Sequence, residues 1–288
     1  AGRQHARRDE QGDEGRDGAL GARGPGAQHQ GAVKVDMNQV EEAAKVFEKD
    51  RVNLIFAVTT SAVTPVKQVT SQIPIVFAVG SDPVASGFVQ SFAKPGGRLT
   101  GVQYSTLDLT GKRLEILKEM LPKLSRIVTV YNPDNRIAVE AVALARQAAK
   151  QLGIRLVERR AASLEELRQQ VGALSAKEAD AYFYTSDAMV TSQAQLVIDA
   201  ASSKKLPTMF AEQSPVVMGG LASYGQNFHE VGRLSAKYVQ KIMTGAQPHD
   251  LRVEMVDKFE LIINLKTAKI IGVTIPPNVL ARADKVIK

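Results

Sequence analysis

The sequence predicts an α/β protein made of two doubly wound, Rossmann-like lobes with a ligand cleft between them. Short β-rich apolar runs alternate with helical repeats, which is the βαβ pattern of buried parallel sheets. The runs stop at small polar residues, the strand ends where such sheets bind ligands. The series also occurs twice, once before Ser105 and again from about Ile127 to Tyr224.

Residues 1–31 stand apart. They hold eight Gly and five Arg, no Lys and no aromatic residue, and Leu20 is their sole large apolar side chain. Such a segment buries too little surface to offset its ordering entropy, so a disordered, dispensable leader is expected. It lacks the apolar stretch of a signal peptide, and its composition resembles a GC-rich reading frame translated out of register or a foreign leader. The ordered pattern begins at Asn38, which with Glu41 makes a capping signal for a helix carrying Val40, Ala44 and Phe47.

Leu54–Val58 reads as a strand stopping at Thr59-Thr60-Ser61, with Ser61 capping a helix through Val63, Val66 and Val69 and Pro65 near the end of its first turn. Ile75–Val79 is the next strand, stopping at Gly80-Ser81-Asp82-Pro83. Asp82 as N-cap and Pro83 at the first helical position predict a helix through Val84, Phe88 and Phe92. Leu99–Tyr104 is a third strand, ending at Ser105. A helix with Leu114, Leu117 and Leu121 precedes the strand Ile127–Tyr131, which ends at Asn132-Pro133. A helix through Val139 to Leu152 closes at Gly153 before a strand at Leu156-Val157, and Ser163 with Glu166 opens another helix. Ala181–Tyr184 is a strand stopping at Thr185-Ser186-Asp187, followed by one helix through Val190, Ala194, Val197 and Ala201. Thr208–Ala211 ends at Glu212, and Leu221–Tyr224 ends at Gly225. A helix with Val231 to Ile242 closes at Gly245, and Phe259–Ile263 is strand-like. No linker separates the halves by composition, so the chain is expected to cross between lobes near Ser105 and again after Tyr224.

The 288 residues suffice for two lobes, and 44% hydrophobic content is globular. There is no cysteine, which excludes disulfides, thiol catalysis and zinc-thiolate sites. Net charge is +7, but Lys and Arg are interspersed with Glu and Asp, so no nucleic-acid patch forms. Catalytic machinery is absent from the pattern. No G-x-G-x-x-G follows a strand. Thr110-Gly111-Lys112-Arg113 ends like a phosphate loop, but it has Thr106 in place of Gly and Arg113 in place of the magnesium-holding hydroxyl. The segment Gly220–Gly225 is one residue off a nucleophile elbow. His5, His29, His229 and His249 contain no pair at metal-ligand spacing. No enzyme, cofactor or metal is expected.

Several segments are specific enough to carry a resemblance. They are Ile73–Val84 (IPIVFAVGSDPV), Phe92–Val102 (FAKPGGRLTGV), Gly111–Lys118 (GKRLEILK), Phe259–Ala268 (FELIINLKTA), Gly272–Pro277 and Leu280–Asp284. Together they resemble the ABC-transporter substrate-binding family related to the tryptophan-binding protein TrpX, over about Asp36 to Lys288. The resemblance implies a type I periplasmic-binding-protein fold with three crossovers. Residues 32–104 with about 226–258 would form lobe one, and about 105–225 with 259–288 lobe two. It implies an extracytoplasmic, monomeric receptor that captures a small solute by hinge closure and delivers it to a membrane permease. The family begins with a signal peptide and then a first strand and helix, which residues 1–31 replace, so lobe one is expected to lack its first strand. A ligand-sensing effector module of a regulator, which shares this fold, is the other reading open at this point.

The family's pocket loops fall on residues already singled out. Its small-polar loop matches Thr59, Thr60, Ser61 and Ala62, its Asp-Pro turn Asp82 after Ser81, and its Gly-Val-x-x-Ser segment runs to Tyr104 and Ser105. In the second lobe Thr185, Ser186 and Asp187 match a Thr-Asp loop with one insertion, and Glu212 opens a Glu-x-x-Val segment with one extra residue. Asn132 and Tyr224 complete the candidate set at strand ends. The hydroxyls and free N–H groups at Thr59–Ser61 suit a carboxylate. Asp187 opposite suits an ammonium, and Tyr104, Tyr131 and Tyr224 offer apolar faces. The ligand expected from this pattern is an amino acid, aromatic or branched. The plainer alternative is that Asp187 caps the helix through Val190 and the tyrosines are core.

Overall fold

The computed structural model describes residues 37–104, 107 and 109–288. The expected leader, the expected loss of a first strand before residue 37, and Ser105 therefore lie outside the described residues. Helix α1 (Met37–Lys49) leads to β1 (Ile55–Val58), α2 (Thr60–Val69), β2 (Ile75–Val79) and β3 (Leu99–Tyr104). Next come α3 (Thr110–Met120), β4 (Arg126–Tyr131), α4 (Arg136–Gln151), β5 (Arg155–Arg160), α5 (Leu164–Gly172) and β6 (Ala181–Phe183). The chain continues through α6 (Ala188–Ser192), α7 (Ala194–Ser203), β7 (Thr208–Phe210), α8 (Gln213–Val217), β8 (Ala222–Gln226) and α9 (Phe228–Met243). It ends with β9 (Glu254–Val256), β10 (Phe259–Asn264), α10 (Leu265–Ile271), α11 (Pro277–Leu280) and β11 (Lys285–Ile287).

These strands form two sheets. The first has the order β1-β2-β3-β9 and is parallel throughout. All five residues of β2 are buried, as a strand covered on both faces requires. On one face Ile75, Phe77 and Val79 pack with Val63 and Val66 of α2 and Ala44 of α1. On the other, Val76, Ala78 and Val102 meet Val231, Leu234 and Tyr238 of α9. Strand β1 is an edge among the described residues, and it leaves Phe56 and Val58 about half exposed.

The second sheet has the order β11-β10-β8-β7-β6-β4-β5 and is parallel except where β10 runs against β8. One face packs on Leu114 and Leu117 of α3 and Ala145 of α4, the other on Leu167 of α5 and Val197 of α7. The polar strand β5 (RLVERR) sits at the edge, where charged side chains discourage further pairing. The chain leaves the first sheet after β3, returns from β8 into α9 and β9, and leaves again from β9 into β10.

Local structure departs from expectation in several places. No helix follows Pro83. Asp82 Oδ1 accepts from Val84 and Ala85 N–H at 2.7 and 3.2 Å, but the resulting turns stop at Gly87, whose φ of 68° takes the chain out of the helical region. The cap of α2 is Thr59 rather than Ser61, and Pro65 lies inside the helix. Helix α1 begins at Met37, before Asn38. The expected helix after Asp187 is broken into α6 and α7 at Gln193. Strand β8 runs past Gly225 to Gln226 because β10 supplies a partner for each residue up to Phe259. The short elements α8, β9 and β11 have too few residues to show a period.

Candidate ligand-binding site

The strand ends of the first sheet assemble a hydroxyl cluster. Thr59 follows β1 with φ 77°, a region that side chains rarely occupy, and its Oγ1 accepts from Ala62 N–H at 3.4 Å and meets Ser61 Oγ at 3.0 Å. Thr60 Oγ1 lies 2.6 Å from Ser81 Oγ, which in turn lies 3.1 Å from Ser86 Oγ. The ends of β1 and β2 thus bring Thr59, Thr60, Ser61, Ala62 and Ser81 together at the start of α2. Asp82 is exposed, and its carboxylate is engaged in its own turn. Tyr104, at the end of β3, is buried and stands edge-on to Phe228, with ring centroids 5.4 Å apart at 70°.

At the strand ends of the second sheet the expected residues divide. Asp187 is 2% exposed. Its Oδ1 accepts from Met189 and Val190 N–H at 2.8 and 3.1 Å and its Oδ2 from Asn132 N–H at 2.8 Å. Three backbone amides therefore occupy both oxygens, so Asp187 caps α6 and ties the loop after β4 to the loop after β6. This geometry corrects the expectation that Asp187 stands open for an ammonium. Thr185 is likewise buried, bonded to Thr129 Oγ1 at 3.0 Å. Ser186 is half-buried between them, and Asn132 Oδ1 accepts from Asp134 N–H at 2.9 Å.

Two tyrosines turn away from the strand ends. Tyr131 is buried with its hydroxyl 3.4 Å from Glu158 of β5, and Tyr224 packs on the α3–α4 face with its ring 6.2 Å from Phe259. Alternation puts them there, since neighbouring residues of a strand face opposite sides.

Glu212 remains. It sits half-buried at the end of β7 and makes no capping bond to α8. It lines a concave space of about 680 Å³ with Ser214, Gln226, Phe228 and His229, and a narrow second cavity with Tyr184 and Thr191. The large cavity runs along α8 and β10 and shares only Glu212 with the expected set. None of Thr59, Thr60, Ser61, Ala62 and Ser81 lines that cavity.

Sequence reasoning missed one buried charge. Arg113, in the first turn of α3, is 1% exposed. Its Nη2 donates to Thr110 Oγ1 at 3.0 Å, while Nε has no partner among the described residues. Burial pulls its guanidinium down to about 10, against the fields of Tyr184 and Glu212. Burial pushes the Glu212 carboxyl up, and Arg113 opposes the shift. Tyr104 is raised by burial and then by the charge of Glu212, which places an element of the first sheet within reach of the second. The signal for Arg113 lay in spacing: Thr110, Arg113, Leu117 and Met120 follow the helical period and all four are buried.

Comparison with known proteins fits this arrangement. The chain is 29% identical over 238 residues to a tyrosine-binding protein of Clostridioides difficile, covering 81% of this chain and 67% of that protein. It superposes with a TM-score of 0.74 on an ABC domain from Streptococcus pneumonia in complex with L-Trp, at 26% identity over 88% of this chain and 84% of that one. With the ligand-free, open form of a substrate-binding protein with adhesive properties from Clostridium difficile the TM-score is 0.65, at 30% identity and with the same coverage of 88% and 84%. Residues 27–287 match the family described as ABC transporter substrate binding protein, and the chain belongs to that family, whose members bind substrates for transport and are not a class of enzymes.

Proposed function

We propose that the protein is the extracytoplasmic receptor of an ABC importer, that it captures an amino acid with an aromatic side chain, and that it hands the solute to a membrane permease. The observation that carries the reading is the aromatic pair of Tyr104 and Phe228, of which Phe228 lines the same cavity as the half-buried Glu212. The ligand carboxylate sits on the Thr59–Ser61 hydroxyls and the N-terminus of α2. With Asp187 committed to capping, Glu212 receives the ammonium. The binding specificities named for the relatives support an aromatic side chain.

In this reading residues 32–104 with about 226–258 move as one lobe, and about 105–225 with 259–288 as the other, about the passages after β3, β8 and β9. At those passages Gln226 Nε2 donates to Val256 O at 2.7 Å and Asn227 N–H to Lys258 O at 3.1 Å, which leaves a compact hinge. The better superposition on the Trp complex than on the open receptor, despite lower identity, supports a form near closure. The protein acts as a monomer.

A calorimetric panel of amino acids, sugars and carboxylic acids tests the class. Aromatic amino acids are expected to bind best, and preference for a sugar would overturn the reading. Saturating L-tyrosine or L-tryptophan should also lower the radius of gyration in small-angle scattering. At a hundredfold excess over Kd the ligand should add about 2.7 kcal/mol of stability.

A further inference from the structure

Phe228 is out of keeping with the helix that carries it. The buried face of α9 holds Val231, Leu234, Ser235, Tyr238 and Ile242, each no more than 8% exposed. Phe228 lies three residues before Val231 and seven before Ser235, so the helical period sets it on that same face. It is nevertheless 43% exposed. The stripe ends with its first ring on the wall of the cavity of about 680 Å³, beside Glu212 and Ile262. An exposed ring by itself needs no explanation, and Phe56 is as exposed on the edge strand β1, outside this cavity. What sets Phe228 apart is how firmly it is held. Tyr104 of β3 stands edge-on to it, with ring centroids 5.4 Å apart. Asn227, one residue earlier, caps α9 through Oδ1, which accepts from Glu230 N–H at 2.9 Å, and donates from Nδ2 to Glu260 Oε1 at 2.5 Å.

We propose that Phe228 is the residue that selects an aromatic side chain: a preset platform on which the ligand's ring stacks, with Tyr104 as the positioning residue beside it. The inference deepens the reading above and rests on it for the ligand. A ring–ring contact gains from offset or edge-on geometry beyond the area it buries. It therefore discriminates against a saturated ring of the same shape, which burial alone would favour as the more apolar of the two. A platform fixed before the ligand arrives also needs little ordering on binding. The volume of the cavity is in the range that takes a small organic ligand. Its wall offers both halves of an amino acid a partner, the Glu212 carboxylate for the ammonium and the Phe228 ring for the side chain.

Calorimetry on the full chain compares L-phenylalanine with L-β-cyclohexylalanine in wild type, Phe228→Leu and Phe228→Tyr. Wild type should prefer the aromatic ligand about fivefold, the scale of one aromatic pair. Phe228→Leu should bring that ratio to one or below, and Phe228→Tyr, which keeps the ring, should keep the ratio. A second readout uses the absence of tryptophan from the chain. The indole of bound L-tryptophan is then the sole one in the sample, and its NMR contacts to a phenylalanine ring should vanish in Phe228→Leu. A ratio that survives in Phe228→Leu, or that both variants lose alike, overturns the inference while leaving the amino-acid receptor intact. Indole contacts that persist in Phe228→Leu overturn it too. If no amino acid binds wild type, the ligand reading fails and this inference fails with it.

Discussion

The two ends of the seven-stranded sheet treat charge in opposite ways. At the amino ends of β4 and β6, Asp180 accepts from Ser125 N–H and Oγ and from Arg126 N–H at 2.9 Å each, and from Arg126 Nη2 at 2.7 Å. Burial works against that carboxylate, yet the bonds from Arg126 and Ser125 prevail and hold it at about 2. At the carboxyl ends, buried Arg113 leaves Nε without a partner among the described residues, and half-buried Glu212 makes no capping bond to α8. The saturated end has the form of a fold-stabilising clamp, whereas the unsaturated end has the form of a site that a ligand completes. Depth of burial does not separate the two, because Arg113 is far more buried than Asp180.

The largest effect expected from this contrast is at the clamp. Asp180→Ala leaves four donors without their acceptor and should cost about 3 kcal/mol in urea unfolding. Because the folded pKa is depressed, the contribution is present above the unfolded value of about 4 and is lost as pH falls toward 2. A flat stability profile between pH 4 and pH 2 would contradict it. Asp187→Ala should cost about 2 kcal/mol of stability through loss of the α6 cap and of the bond to Asn132. If it instead left stability unchanged and abolished binding, Asp187 would belong with the ligand groups.

Glu212→Gln is expected to leave stability within about 0.5 kcal/mol and to weaken amino-acid binding by about 1.5 kcal/mol, the lower range for a charged hydrogen bond. Smaller than that loss of binding should be the folding effect of Arg113→Met, within about 1 kcal/mol of wild type, because an apolar side chain of similar size replaces a charge that is incompletely paired among the described residues. A loss as large as that of Asp180→Ala would erase the difference between the two ends.

Much of this contrast is written in local sequence, and some of it is not. The strands from Ile75 and Ile127 were plain, because continuous apolar runs have one use in a parallel sheet. The hydroxyl cluster at Thr59–Ser61 was plain for the same reason that it forms: a strand end followed by a helix start. The fate of Asp187 was open, since the same residue caps a helix or meets a ligand, and only the amide of Asn132, from another loop, completes its coordination. The failed helix after Pro83 turned on Gly87, a backbone choice that apolar spacing does not record. Arg113 was hidden by its own chemistry. Its place on a buried stripe, with Leu117 and Met120, reads as an anomaly in the sequence.

The most direct test of the account pairs ligand and protein. Calorimetry should compare L-tryptophan and L-tyrosine with their deaminated acids, on wild type and on Glu212→Gln. The account predicts that wild type prefers the amino acid and that the preference largely disappears in Glu212→Gln, because the ammonium and the carboxylate are each other's partner. A wild type that binds the deaminated acid as tightly, or an amino-acid preference that survives in Glu212→Gln, would contradict it.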